Sequence, residues 1–575
     1  MLKNIFDMFK PKENFPLVSI VVPCWNEENF IQDCLQSIKQ QTFNDFEVII
    51  VDDASVDRTA EIVQREISTD KRFKYYRMPQ NSGTGEALNF GFNLARGKYW
   101  TWIAGDSSVE PAFLKEHVQV LNDQPQQVVL AYSDWYLEDD ISDSTTTIET
   151  PDYNKSHLRI QCIVGPCFLF RKEAKLKAGP YCKQICEDYY MHLMMAEQGD
   201  FVRIPKRLGM WRNHKNNLTN RVSIKSKWME SSIAKSKARW KSAKRRVAYI
   251  CPEYDCAGAG WLLMNTINDN SDKYAIRHIA SYQTNLNYGI DLNFNYNVDE
   301  IRDVLAESDI LMFNNDVYEK IGGIQMFPRM MNTPTIVHMH GGYAQWNLEK
   351  LKGYVKDYNA VLSGCTPGHP IFKWMPNPIP FNTNPQWAGL YEQYYKPSPD
   401  WPRQSSLIRF LCHHNYAAGK GVDQISEMFK YLKYIFDDFP EVEVSLSSTL
   451  KYQLYDHLMY KKNYDVVIDQ ITQGFVGMAA WESFLQGSAV IARLDELTMK
   501  AYKDLWGELP PILNARLIDD VGNHVNRLAR SRSMVNDLGQ QGRDWMFKHY
   551  NALFMTQLYE EYFDEVINNW QHPTA

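Results

Sequence analysis

Polar residues with ligand-binding chemistry stand at the ends of predicted strands in the first 110 positions. Pro23 follows the first predicted strand, Asp52 and Asp53 close the second, and Asp106 comes shortly after a third. In an open α/β sheet, ligands bind at the carboxyl ends of the strands. Carboxylates there can accept hydrogen bonds from a nucleobase N–H or from ribose hydroxyls. The candidates are Pro23, Asn26, Glu28, Asp52, Asp53, Asn81, Gly83 and Asp106.

The elements that must position these residues follow from the hydrophobic pattern. Short apolar runs alternate with helical patterns, which predicts an α/β chain with mostly parallel sheets. The first predicted strands are Leu17–Val22, Phe46–Val51, Tyr99–Ile103 and Val128–Tyr132. A second series comprises Val247–Ile250, Ile276–Ala280, Asp309–Phe313, Thr335–Met339, Leu407–Leu411, Val442–Leu446, Asp465–Ile468 and Ala489–Ala492. This second series predicts two Rossmann-like halves.

Length and composition limit the classes of protein. A chain of 575 residues is too long for one hydrophobic core. Its net charge of −7 excludes a globally basic nucleic-acid footprint. The 10 cysteines form no CxxC pair and no cluster with structural-zinc spacing, so we expect reduced thiols. The sequence contains no apolar run of about 18 residues that would predict a membrane-spanning helix.

The motifs of the first 222 residues resemble those of family 2 inverting glycosyltransferases. Pro23 to Glu27 match the family's P-x-x-N-E start, and Val51–Asp57 match its V-D-D-x-S-x-D strand. Asn81 to Tyr99 follow its N-x-G…N-x-G…A-x-G-x-Y helix. The resemblance implies a GT-A fold that binds a nucleotide-sugar donor, linked to UDP or to GDP or dTDP.

The same resemblance implies a catalytic base. Glu187 and Asp188 match the family's E-D motif, and the family assigns the base role to the Asp of that motif. Direct displacement at an anomeric carbon needs one carboxylate to take the proton of the acceptor hydroxyl. A predicted helix start also favours acids through its dipole, and the two roles are compatible.

A divalent cation is implied as well. The family's D-x-D motif aligns with Ala104 to Asp106, so its first Asp is absent here. Asp106 is the expected ligand for Mn²⁺ or Mg²⁺, with His214 as a second. His214 and Arg212 belong to a segment that matches the family's Y-R-x-H pattern, and Arg212 is expected on the acceptor or diphosphate side.

The second half of the chain resembles family 4 glycosyltransferases of the GT-B fold. Two features of that family's donor site are missing, because Gly474 replaces the first Glu of an E-x7-E motif and Asn415 replaces an Arg. The residues to which the resemblance assigns donor binding are Lys420, Gly477 and Glu482, and His340 is expected on the acceptor or diphosphate side.

These patterns predict a bifunctional glycosyltransferase acting on a glycan or lipid-linked glycan acceptor, such as a growing cell-surface polysaccharide. The predicted divisions are a lead-in at 1–15, a GT-A domain at 16–222, a basic helical linker at 223–245, and GT-B halves at 246–385 and 386–575. We expect a cytoplasmic protein, with peripheral membrane contact possible only through the N-terminus or the basic linker. One alternative is transfer to modified DNA bases, which depends on the basic linker. Another is an active GT-A domain with a non-catalytic GT-B-like half that binds glycan or acts as a scaffold.

Overall fold

The computed structural model describes residues 15–182, 186–217, 224–254, 258–282, 289–318, 320–321, 323–339, 349–350, 352–353, 356, 361–364, 373–379, 396–414, 442–448, 454–469, 471 and 474–570. The chain divides into two compact units, Met1–Ala238 and Arg239–Ala575. The lead-in up to residue 14, His340, Asn415 and Lys420 lie outside the described residues.

The first unit is built on one mixed sheet. Its strands are β1 Val18–Cys24, β2 Phe46–Asp52, β3 Phe73–Arg77, β4 Tyr99–Trp102, β5 Ser108–Val109, β6 Val128–Asp139, β7 Ser144–Ile148, β8 Phe168–Arg171 and β9 Asp200–Asn213. Its helices are α1 Ile31–Lys39, α2 Thr59–Ile67, α3 Thr84–Leu94, α4 Phe113–Asp123, α5 Lys155–Ile160, α6 Lys172–Ala178, α7 Glu187–Ala196 and α8 Ile224–Ser242.

The strand order places the candidate residues together. Within the described residues the order is β3-β2-β1-β4-β8-β6-β9-β5, with β7 paired to β6. Strands β3, β2, β1 and β4 run parallel, whereas β8 is antiparallel to β4 and β6. The chain order reverses between β1 and β4, and ligands bind at such switch points. This mixed α/β sheet is consistent with a GT-A domain.

The central strand β1 is buried along its whole length, which explains its continuous apolar run. Val21 packs on one face of the sheet with Leu88 of α3. Ile20 and Val22 pack on the other face with Leu35 of α1. Because both faces are covered by helices, the polar residues after β1 are confined to the edge where the strand ends.

One large feature of this sheet was not predicted from the sequence. The predicted strand Val128–Tyr132 continues to Asp139, and it pairs in parallel with β9 over most of its length. The extension is only partly buried, so its apolar pattern is weak. Glu138 and Arg212 hold the end of this pair together through an ion pair of 3.0 Å.

The second unit contains two parallel sheets. The first has the order β12-β11-β10-β13-β16-β17-β18 and the second β20-β19-β21-β22-β23, counted over the described residues. The first sheet consists of β10 Arg245–Tyr254, β11 Tyr274–Tyr282, β12 Leu292–Asn293, β13 Ile310–Asn314, β16 Thr335–Met339, β17 Val361–Gly364 and β18 Lys373–Trp374. The second consists of β19 Ile408–His414, β20 Val442–Ser448, β21 Val466–Ile468, β22 Ala489–Ala492 and β23 Leu513–Asn514, and a small hairpin pairs β14 Lys320–Ile321 with β15 Ile324–Gln325.

The described residues of this unit also form helices. They are α9 Ala259–Asn270, α10 Val298–Glu307, α11 Phe327–Met330, α12 Leu454–Lys461, α13 Met478–Leu485, α14 Glu496–Trp506, α15 Ile518–Ala529, α16 Arg532–His549 and α17 Ala552–Asn569. Each of the eight strands predicted here from the sequence has a counterpart, with ends that shift by a few residues.

The last helix, α17, returns to the first sheet of the second unit. The Nζ of Lys273 and the hydroxyl of Tyr274 both donate to the carboxylate of Asp564, the latter at 2.7 Å. The hydroxyl of Thr556 donates to the Thr266 carbonyl at 3.3 Å. Residues almost 300 positions later in the chain therefore bind to the part of this unit that contains its first sheet.

The basic connector contains the helix α8, and several of its described side chains are buried. Its helix α8 contributes alanines to the core of the first unit. The side chains of Lys235 and Arg239 are buried, and Arg245 pairs with Asp309 at 2.8 Å. The connector therefore offers less cationic surface to DNA or lipid than its composition predicts. No helix within the described part of the chain is both long and apolar enough to cross a membrane.

Candidate functional site

A cavity of about 580 Å³ opens where β1, β2 and β4 end. It brings together seven of the residues predicted from the sequence, namely Pro23, Asn26, Asp53, Asn81, Gly83, Asp106 and His214. Other lining residues that the sequence did not single out include Trp25, Glu27, Phe30, Trp102 and Asn217. A cavity of this size is within the range that holds a small ligand or cofactor.

The loops after β1 and β2 are locked to each other. Asn26 has a left-handed backbone with φ of 55°. Its backbone N–H donates to Ser55 Oγ at 3.0 Å, and its side-chain oxygen accepts from the Val56 N–H at 2.8 Å. Because Asn tolerates a positive φ better than most residues, the motif's Asn both shapes and joins the two loops.

Asp53 organises the start of α3. Its two carboxylate oxygens accept hydrogen bonds from the backbone N–H groups of Ser82 and Gly83, each at 2.8 Å. Gly83 has φ of +87°, a conformation that a side chain would strain. These bonds hold the amino end of α3 at the wall of the cavity, where the helix dipole favours an anionic ligand.

Three predicted binding residues lie outside the cavity lining. Asp52 is fully buried and accepts from Tyr75 at 2.6 Å and Arg77 at 2.7 Å. The Glu28 carboxylate accepts the Arg58 N–H at 3.1 Å. The third, Arg212, pairs with Glu138 as described above. Their geometry supports the loops around the cavity and does not direct the side chains into it.

Three side chains in the cavity could hold a metal ion. Ligand atoms of Glu27, Asp106 and His214 lie within 4.8 Å of one another. His214 Nε2 is 3.2 Å from Asp106 Oδ2, and the Asn217 side-chain amide donates to the same oxygen at 3.0 Å. Two carboxylates and an imidazole suit Mn²⁺ well, because it accepts both oxygen and nitrogen ligands. Glu27 is not among the ligands predicted from the sequence, where only its neighbours Asn26 and Glu28 were binding candidates.

Phe30 supports the imidazole from the side. Its ring centroid is 4.4 Å from that of His214, and the Arg212 guanidinium lies 5.2 Å from the Phe30 ring centroid. The backbone N–H of His214 donates to the Asn217 side-chain oxygen. Asn217 therefore contacts both predicted metal ligands. In the sequence, only its position three residues after His214 could have indicated this role.

The two adjacent acids begin α7, next to the same wall of the cavity. Thr84 lines the cavity, and a Cβ added at the next residue, Gly85, would lie 3.8 Å from Glu187 Cβ. Burial raises the pKa of Asp188. Burial, together with the charge of Asp188, raises the pKa of Glu187 to about 7. Perturbed carboxyl groups beside a cavity are typical of acid–base sites.

These pKa values predict a pH-dependent activity. Asp188 must be ionised to act as a base, and burial raises its pKa, so kcat/KM should rise with pH over a range above that of an ordinary Asp carboxyl group. The raised pKa of Glu187 also means that its ionisation opposes folding, so this group should lower the stability as the pH rises from about 4.5 to about 7. Initial rates measured between pH 5 and 9 test the first statement. In Asp188→Asn, the rising limb should be lost together with most of the activity, and a limb that persists unchanged would contradict the assignment.

Two of the candidate donor residues of the second unit, Glu482 and Gly477, are bonded to other side chains of that unit. Glu482 is buried, and its carboxylate accepts from Lys461 Nζ at 2.8 Å. Gly477 precedes α13, and its N–H donates to Asp469 at 3.0 Å. At Gly474, with φ of +77°, an added Cβ would lie 2.4 Å from Asp495 Oδ2. The structure thus encloses Glu482 in an ion pair and leaves no room for a side chain at 474.

Residues 19–176 match the model of a family described as glycosyl transferase family 2. The chain is 33% identical over 147 residues to an uncharacterized glycosyltransferase of Rickettsia typhi, which covers 25% of this chain and 45% of that protein. It is 28% identical over 183 residues to an uncharacterized glycosyltransferase of Haemophilus influenzae, covering 31% and 72%. A solved structure of S. aureus TarS 1-349 in complex with UDP-GlcNAc aligns with a TM-score of 0.34 and 18% identity, over 38% of this chain and 66% of that one. The chain thus spans less than half the length of the Rickettsia relative.

Proposed function

We propose that the first unit transfers a sugar from a nucleotide-sugar donor to a glycan acceptor. The observation that carries this proposal is the cavity at the ends of β1, β2 and β4, with a cluster of cation ligands inside it and a pair of acids beside it. The family match over residues 19–176 supports the transferase class. The donor would be linked to UDP, GDP or dTDP.

In this proposal Asp188 takes the proton of the acceptor hydroxyl. The acceptor oxygen attacks the anomeric carbon while the bond from that carbon to the diphosphate breaks, so the nucleoside diphosphate leaves and the configuration inverts. Burial raises the pKa of Asp188, which makes it a stronger base than an ordinary Asp carboxylate. Asp53 and the start of α3 would orient the donor through the backbone they fix.

Asp106 and His214 would hold a divalent cation. A bound Mn²⁺ or Mg²⁺ would stabilise the negative charge that develops on the leaving diphosphate. Asn217 would fix the positions of Asp106 and His214 relative to each other, because it is hydrogen-bonded to both.

For the second unit we propose a non-catalytic role, glycan binding or scaffolding, in place of a second transfer step. Its two parallel sheets and returning helix α17 favour a GT-B-like architecture. However, the carboxylate of Glu482 is bonded to Lys461. Position 474, where the family's motif has its first Glu, is a glycine packed against Asp495. These contacts favour the non-catalytic alternative over the bifunctional one.

Thermal unfolding of the full chain with nucleotide sugars tests the proposal. Ligand at about 100 times its Kd stabilises the folded state by about 2.7 kcal/mol, which raises the Tm of a domain this size by roughly 5–10 °C. We expect this rise with Mn²⁺ and the correct nucleotide sugar together, but not with the free sugar. The variant Asp106→Asn should show a much smaller rise. If no UDP-, GDP- or dTDP-sugar raises the Tm, the proposal is wrong.

A further inference from the structure

We infer that Glu27 supplies the carboxylate that the cation site lacks at Ala104. This inference rests on the proposed function, because it concerns the cation expected beside Asp106. Ala104 stands where the resembled motif has its first Asp, so the strand β4 contributes one carboxylate and not two. Glu27 comes from the loop after the neighbouring strand, β1, and its carboxylate lies within 4.8 Å of the ligand atoms of Asp106 and His214.

The two strand ends are joined in a way that brings Glu27 to this place. β1 and β4 pair in parallel, and beyond the strands the Gly105 N–H still donates to the Pro23 carbonyl at 3.3 Å. The loops after both strands therefore leave the sheet side by side. A carboxylate from either loop can reach the same point in the cavity.

Gly105 permits the close approach. A Cβ at this position would lie 3.3 Å from Glu27 Cγ and 3.1 Å from Cys24 Cβ, closer than most Cβ contacts. The stem of Glu27 thus packs over the glycine of the Ala104–Asp106 segment. A larger residue at 105 would push Glu27 away from Asp106.

The backbone of Glu27 is fixed independently of any ligand. Its N–H donates to Thr59 Oγ1 at 2.7 Å, and its carbonyl accepts from the N–H groups of Phe30 and Ile31 at 3.0 and 2.9 Å, where α1 begins. The side chain therefore starts from a defined position at the cavity. Preorganised ligands of this kind are what a metal site requires.

Direct measurement of Mn²⁺ binding to the full chain tests the inference without relying on turnover. Electron paramagnetic resonance of free Mn²⁺ gives the Kd for the wild type and each variant. Changes outside the ligand shell already weaken metal binding by 10- to 100-fold, so Glu27→Gln should raise the Kd by at least about tenfold. Asp106→Asn should raise it further. Glu173→Gln is the matched control and should bind as the wild type does, because Glu173 is exposed on α6 and lies outside the cavity lining.

A rescue variant separates a ligand from a merely structural residue. Ala104 lines the cavity, so the double variant Glu27→Gln with Ala104→Asp restores a second carboxylate from the other loop and should recover most of the lost affinity. One outcome would show that the inference is wrong while the proposed function stands. In that outcome the wild type binds Mn²⁺ and Asp106→Asn weakens the binding, but Glu27→Gln leaves it unchanged. If the wild type binds no Mn²⁺, the cation in the proposed function fails and the inference fails with it.

Discussion

Replacement of Asp188 by Asn is expected to lower the rate of sugar transfer by about 10²- to 10⁴-fold, the usual contribution of a general base. Asn has nearly the same shape but cannot accept the proton of the acceptor hydroxyl. Nucleotide-sugar binding should survive, because the donor contacts proposed for Asp53, the start of α3 and the cation site are unchanged in this variant. The measurements are kcat from initial rates of product formation and Kd from donor titration.

Two companion variants make this result specific. Asp123→Asn makes the same chemical change at an exposed position at the end of α4, and it should leave kcat unchanged. Glu187→Gln should retain more activity than Asp188→Asn, because the base itself remains. Turnover in Asp188→Asn within a few-fold of the wild type would refute the assignment of the base.

Replacement of Lys461 by Ala is expected to destabilise the second unit by about 3–5 kcal/mol, because it leaves the Glu482 carboxylate buried without its ion-pair partner. Lys461 is fully buried, and its Nζ also donates to the Ala479 carbonyl at 2.9 Å. Denaturant unfolding followed by tryptophan fluorescence can measure the loss, since Trp481 on α13 is packed within the same unit. A loss below about 1 kcal/mol would place the pair among weak surface interactions.

The matched control replaces both partners. Lys461→Met with Glu482→Leu removes the two charges together, and such exchanges of a buried pair for apolar residues are often neutral or stabilising. The comparison also bears on function. Loss of activity in Glu482→Ala would not by itself indicate donor binding, because the variant leaves Lys461 buried and unpaired. Activity should be compared only between variants of equal stability.

The parts of the fold that the sequence predicted well are those where burial is complete. All of β1 is buried on both faces, so its apolar run is continuous and its position was predicted within two residues. The extension of β6 beyond Tyr132 escaped prediction because it is half buried and gains its stability from pairing with β9, some 70 residues later. Such long-range pairing leaves little trace in local composition.

The candidate site was predictable in outline but not in its contacts. The sequence singled out Asp53, Asp106 and His214, which line one cavity. It could not show that the Asp52 carboxylate accepts a hydrogen bond from Arg77, because this contact depends on the pairing of β2 with β3. It also could not show that Glu27 approaches Asp106, which depends on the absence of a side chain at Gly105. The composition of the basic connector likewise did not indicate that Lys235 and Arg239 are buried.

The return of α17 to the first sheet of the second unit has a consequence for synthesis. A ribosome makes the chain from its N-terminus, and domains generally fold as they emerge. Residues 239–379 emerge early, but Lys273 and Tyr274 must wait for Asp564, almost 300 residues later. The first unit can complete its core long before that moment, whereas the early half of the second unit remains an unfinished nascent domain. The contacts that α17 makes with Thr266, Lys273 and Tyr274 therefore form only at the end of synthesis.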